Sequence, residues 1–167
     1  MGAKVVSQLK NPIYLFTYVI YFILLIIFLV SYLTGIYSTW YLNLKTEVVN
    51  VWIPRILWFL AIILSYVSLY LLWNGKRAIS LEVSIQINAI YIISELIIIA
   101  WSVIFLQGQN ILGAIWLSFA LLIFQIWLLY YVWKLDATAG LYMVPLVLMY
   151  LYLLYSMIHL ASINGVK

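Results

Sequence analysis

The chain has 167 residues, of which 69% are hydrophobic and 7% charged. A soluble domain of that length cannot hide so much apolar surface, so the composition points to an all-α, polytopic membrane protein. The absence of cysteine excludes disulfides, thiolate metal sites and Cys nucleophiles, and the net charge of +4 sits on a few residues near helix ends, with no basic stripe to hold nucleic acid.

In chain order, Met1 to Lys10 form a short basic head. Asn11-Pro12 is a helix start, with Asn as cap and Pro in the first turn. The first helix is predicted over about 12–34, with Gly35 ending it. Its apolar run is long and lacks a small-residue cleavage site, so it reads as a retained helix and not a leader. Residues 36–51 form the one long connection. It holds Trp40-Tyr41 and Leu44-Lys45-Thr46-Glu47. Trp and Tyr there suit a membrane interface, and a loop of this length can also fold back as a lid.

The second helix is predicted over about 52–73, with Pro54 tolerated in its first turn and Asn74-Gly75 as the stop. Lys76-Arg77 follows as the densest positive cluster. Ser80 caps a third helix over about 81–106, and Gln107-Gly108-Gln109-Asn110 is a tight polar turn. The fourth helix spans about 111–133. Its stripe of Trp116, Ala120, Ile123, Trp127 and Tyr130 reads as packing or interface anchoring before a ligand box. Asp136 caps the fifth helix, over about 137–163, where Pro145 predicts local loosening. On that helix Tyr142, Met149, Ser156 and Ile163 share one face.

The result is a single domain over 1–167 with five membrane helices. Lys4, Lys10, Lys76, Arg77 and Lys134 fall on the amino-terminal side, against Lys45, Arg55 and Lys167 on the other. The positive-inside bias places the amino terminus in the cytoplasm and the long loop outside.

The third helix carries the most chemistry. Asn88, Glu95 and Ser102 recur by sevens, so they lie on one helical face, with Tyr91 beside them. A carboxyl at membrane depth costs a few kcal/mol or more unless it faces protein or a wet cavity. Glu95 therefore reads either as a neutral, hydrogen-bonded carboxyl or as the wall of a ligand or proton site. His159, the single histidine, reads as a hydrogen-bonding group before a haem or metal ligand. No Gly-rich phosphate loop, HExxH or GxSxG motif is present, so an enzyme is not the expectation.

Several of these elements together resemble the TspO/MBR family, the translocator and tryptophan-rich sensory proteins. Trp40-Tyr41-Leu42-Asn43-Leu44-Lys45 is similar to the family's W-Y-x-x-L-x-K after the first helix. Trp52-Ile53-Pro54 resembles its W-x-P element, and Leu57-Trp58 its V-W. Ala137-Thr138-Ala139-Gly140-Leu141-Tyr142-Met143-Val144-Pro145 resembles the small-residue entry and L-x-x-P of the fifth helix, and Asn164 falls at the family's terminal Asn. The resemblance covers about 40–164, and eight Trp agree with it. Departures include Thr46-Glu47 for K-P, Pro145-Leu146 for P-Y, and Met149 where a Trp is usual. Met149 in particular argues against carrying over porphyrin breakdown.

The resemblance implies a five-helix bundle with a pocket open toward the long loop. It implies porphyrins or other flat hydrophobic ligands, no required cofactor, and a homodimer in the lipid bilayer. The expected lining groups are Trp52 as lid, then Trp58, Asn88, Glu95, Trp101 and Met149. Two rival readings are a proton-coupled small-solute transporter using Glu95 and a structural subunit of a membrane complex.

Overall fold

The computed structural model describes residues 12–37, 39–44, 52–74 and 79–165. The basic head, the Asn11 cap, Lys45 to Asn50, the Gly75–Arg77 turn and Lys167 lie outside the described residues, as do the side chains of Trp52, Pro54 and Arg55. The described chain forms α1 (Pro12–Ile36), α2 (Thr39–Asn43), α3 (Trp52–Asn74), α4 (Leu81–Ser102), α5 (Ile111–Leu135) and α6 (Ala137–Ile163). A π-helical turn, Val103–Gln107, extends α4. All helices but α2 contain a stretch long and apolar enough to cross a membrane. In lipid every backbone polar group must bond within the protein, and helices do this alone.

Polar caps set several helix boundaries. Ser80 Oγ accepts from the Val83 N–H at 3.3 Å, starting α4 where the sequence predicts. Asp136 accepts from the N–H groups of Thr138 and Ala139 at 2.8 and 3.0 Å, starting α6 as predicted. Asn110 Oδ1 accepts from the Gly113 N–H at 2.8 Å and starts α5. Each cap contributes on the order of 1 kcal/mol.

Two predicted boundaries need correction. Gly35 does not end the first helix, which runs through it to Ile36. Its lack of a side chain serves packing instead: a Cβ there would collide with Leu106 on the π-turn. The third helix loses α-geometry after Ser102, and the π-turn supplies its last residues. The turn that follows uses Gln109 at φ 54, a left-handed conformation.

Around the bundle, α1 packs on α4, α4 on α5, α5 on α6, and α6 on α3. The ring closes between α3 and α1 through aromatic side chains: Tyr18 on Trp73 at 5.0 Å, Tyr21 on Tyr66 at 6.1 Å and Phe28 on Trp58 at 5.0 Å between centroids. Two apolar clusters fill the interior at different depths. The one toward the long loop holds Phe28, Ala61, Ile98, Trp101, Phe105, Leu121, Tyr150 and Met157. The one toward the opposite end holds Tyr21, Leu69, Ile87, Tyr91, Leu128 and Met143.

The α5 stripe points outward. Trp116 is 71% exposed, and Ile123, Trp127 and Tyr130 are exposed as well. It takes no place in the buried core of the bundle. Lys134 Nζ lies 4.4 Å from the Tyr130 ring centroid at the end of this stripe, a contact suited to the interface.

Gly35→Val forces Leu106 and the π-turn away from α1. Overpacking of this kind costs about 1–3 kcal/mol. The expected outcome is a lower thermal midpoint in detergent, read by circular dichroism.

Candidate functional site

The predicted face of α4 turns inward. Asn88, Tyr91, Ile98 and Ser102 are all buried. Glu95 shares that face yet keeps some accessible surface.

Beside Glu95 on the α4 face stands Tyr91, one turn earlier, with Tyr21 of α1 against it and Tyr66 of α3 against Tyr21. These tyrosines also touch one another, Tyr21 lying 6.1 Å from Tyr66 and 5.8 Å from Tyr91 between ring centroids. Tyr21 donates to the Asn88 carbonyl oxygen at 3.1 Å and reaches Oδ1 at 3.4 Å. Tyr91 donates to the Ser65 carbonyl oxygen at 3.4 Å, reaching from α4 to α3. Among the described residues Glu95 itself makes no hydrogen bond or ion pair, and the buried Tyr66 hydroxyl has no hydrogen-bond partner.

The other expected site residues divide by depth. Trp58 is half-buried in the loop-side half, edge-on to Phe28 at 5.0 Å and to Tyr32 at 6.0 Å. Trp101 is buried in the same half, 5.2 Å from the Phe105 ring. Its indole N–H has no hydrogen-bond partner among the described residues. The start of the long connection folds back onto this half: Trp40 and Tyr41 pack against Phe105 at 5.6 and 6.1 Å. Trp52 begins α3, and its side chain lies outside the described part.

Two expectations shift. The α6 face through Tyr142, Met149, Ser156 and Ile163 is not the inner one, since Tyr142 is exposed and the other three are half-buried. The inner face is one residue over, through Met143, Tyr150 and Met157, all buried. Met149 therefore flanks the loop-side cluster, and Tyr150 takes the inward position. Ser102 lies two helical turns from Glu95 and belongs to another contact. Its hydroxyl donates to Ser31 Oγ at 2.9 Å and joins α4 to α1. His159 stacks on Tyr155 at 6.1 Å.

Tyr21, Tyr66 and Tyr150 went unnoticed because the chain has fifteen tyrosines spread over nearly every helical face. A usable signal is the spacing Met143–Tyr150–Met157, which repeats by sevens as the α4 face does.

Five spans arranged in a ring, with an aromatic half beneath the first connection, define a multi-pass integral membrane protein. The TspO/MBR family model matches residues 18–162, nearly the whole chain. The chain belongs to the TspO/MBR family. Comparison with curated proteins and with solved structures finds no significant match.

The tyrosine hydroxyls differ in what their removal does. Tyr21→Phe removes a buried bond to Asn88 and lowers stability in detergent by about 0.6 kcal/mol, the usual size of such bonds between membrane helices. Tyr66→Phe removes an unpartnered hydroxyl and leaves stability unchanged or raised. Thermal unfolding of the two variants beside the parent chain reads both outcomes.

Proposed function

We propose that this protein binds porphyrins or other flat hydrophobic molecules in an intramembrane pocket toward the long connection, and acts as a receptor or carrier for them. The observation that carries this reading is the aromatic half of the bundle. Trp58 and Trp101 are held there by Phe28, Tyr32 and Phe105, with Trp40 and Tyr41 folded over Phe105. A flat ligand is held by stacking on such walls, and a few polar groups orient it. The free indole N–H of Trp101 is one suitable donor. Met149 flanks this half, Trp52 serves as a lid residue, and Asn88 and Glu95 form the polar floor. The ligand itself is the only small molecule the reading needs; no cofactor is invoked. Family membership supports the same class of ligand and a homodimeric assembly. The charge bias of the sequence puts the amino terminus in the cytoplasm.

Protoporphyrin quenches tryptophan emission saturably in detergent under this reading. Trp101→Ala weakens the affinity about tenfold, since a buried aromatic anchor commonly carries that much or more. The absence of saturable quenching up to high micromolar porphyrin sinks the proposal.

A second reading is favoured by one observation, the inward Glu95 without an ion-pair partner among the described residues. Intramembrane carboxyls of this kind mark proton or solute routes. On this reading the protein is a proton-coupled small-solute transporter, and Glu95→Gln abolishes pH-dependent uptake into vesicles. Uptake that keeps its pH dependence in the variant rules it out.

A further inference from the structure

Among the described residues Lys134 carries a positive charge that no carboxylate neutralises. It is the only Lys or Arg within the five membrane spans and stands one residue from the end of its span. Its side chain is exposed, with the ammonium 4.4 Å from the Tyr130 ring centroid. Asp136, two positions on, spends its carboxyl on the Thr138 and Ala139 N–H groups as the cap of α6. Glu82, in the first turn of α4, makes no ion pair with it.

The depth of Lys134 is set by α5. Exposed Trp116 and Trp133 stand seventeen positions apart on that helix, about 26 Å along its axis. That nearly spans a hydrocarbon core of about 30 Å, and exposed Trp residues gather at its two faces. Lys134 follows Trp133 directly, so its ammonium lies at headgroup level. On the helical spacing it falls between Tyr130 and Tyr131. Tyr130 holds the ammonium from one side. On the other side the Tyr131 hydroxyl donates to Gln86 Oε1 of α4 at 3.1 Å. That bond uses the acceptor of the exposed Gln86 amide and leaves its N–H groups without a partner among the described residues. Further into the membrane the same outer line turns apolar, through exposed Trp127 and Ile123.

A cation at headgroup depth, amide donors beside it and an apolar strip leading into the bilayer match a phospholipid with an anionic head. The phosphate oxygens accept from the ammonium through a charge-assisted hydrogen bond. A negatively charged lipid surface attracts each basic residue near it. In a phosphatidylcholine the head's own quaternary ammonium offsets the phosphate, so net charge separates the two lipids.

We infer that the α4–α5 rim formed by Lys134, Tyr130, Tyr131 and Gln86 seats the head group of an anionic phospholipid, whose acyl chains lie along Trp127 and Ile123. The seat is on the outer surface and is separate from the pocket proposed toward the long connection.

The test uses the full chain in dodecyl maltoside micelles doped with dioleoylphosphatidylglycerol. Dioleoylphosphatidylcholine and free glycerol phosphate serve as controls. The thermal midpoint is expected to rise saturably with phosphatidylglycerol and with neither control. In Lys134→Gln the phosphatidylglycerol content at half effect rises about fivefold, the usual weight of one basic residue at an anionic surface. Lys45→Gln makes the same change in net charge and leaves the half effect where it was. If Lys134→Gln does not give monodisperse protein, Gln86→Leu keeps the charge and removes the amide, and a higher content at half effect is again expected. An equal response to phosphatidylcholine or to glycerol phosphate overturns the inference. So does an unchanged half effect in Lys134→Gln, a shift as large in Lys45→Gln, or no saturable response of the parent chain.

Discussion

The bundle depends on how α1 and α3 are kept apart. Every other neighbouring pair in the ring meets through close backbone packing, whereas these two meet through rings. Packed helices ordinarily sit about 8–10 Å apart. A Tyr–Trp, a Tyr–Tyr and a Phe–Trp pair stand between α1 and α3 at successive depths, and each needs room for two large side chains. The ring pairs of this seam set the separation of α1 and α3 at every depth they occupy.

The same seam explains why polar groups survive at membrane depth. Tyrosine is long enough to cross the gap and carries a hydroxyl at its tip. Tyr21 spends its hydroxyl on Asn88 of α4, and Tyr91 spends its own on the Ser65 carbonyl of α3. The Tyr91 bond ties α4 to α3, a pair without close backbone packing, and both bonds satisfy groups that lipid cannot. Tyr66 has the same reach but no partner among the described residues.

Much of this architecture is legible in the residues. Ser80 and Asp136 announce helix starts because a short side-chain oxygen beside an apolar run has few other uses, and both cap as expected. The inward face of α4 follows from Asn88, Glu95 and Ser102, since polar residues at a seven-residue spacing stand out against an apolar background. The inner face of α6 is illegible for the opposite reason. Nearly every side chain there is apolar or aromatic, so neighbouring faces look alike, and a shift of one residue exchanges Met149 for Tyr150. Gly35 is misread because its use is long-range. A stop for the helix and a seat for Leu106 ask the same thing of the sequence. The π-turn after Ser102 leaves no residue signature at all.

Family membership accounts for the frame, and Glu95 enters it from α4. Here the carboxyl replaces nothing the ring contacts need: the Tyr–Trp, Tyr–Tyr and Phe–Trp pairs of the seam involve α1 and α3, and Glu95 enters from α4. Among the described residues the carboxyl makes no ion pair, and a buried carboxyl without one weakens the folded state. The two halves of the interior differ in their rings: the loop-side half gathers Phe28, Trp58, Trp101 and Phe105, and the opposite half Tyr18, Tyr21, Tyr66 and Tyr91.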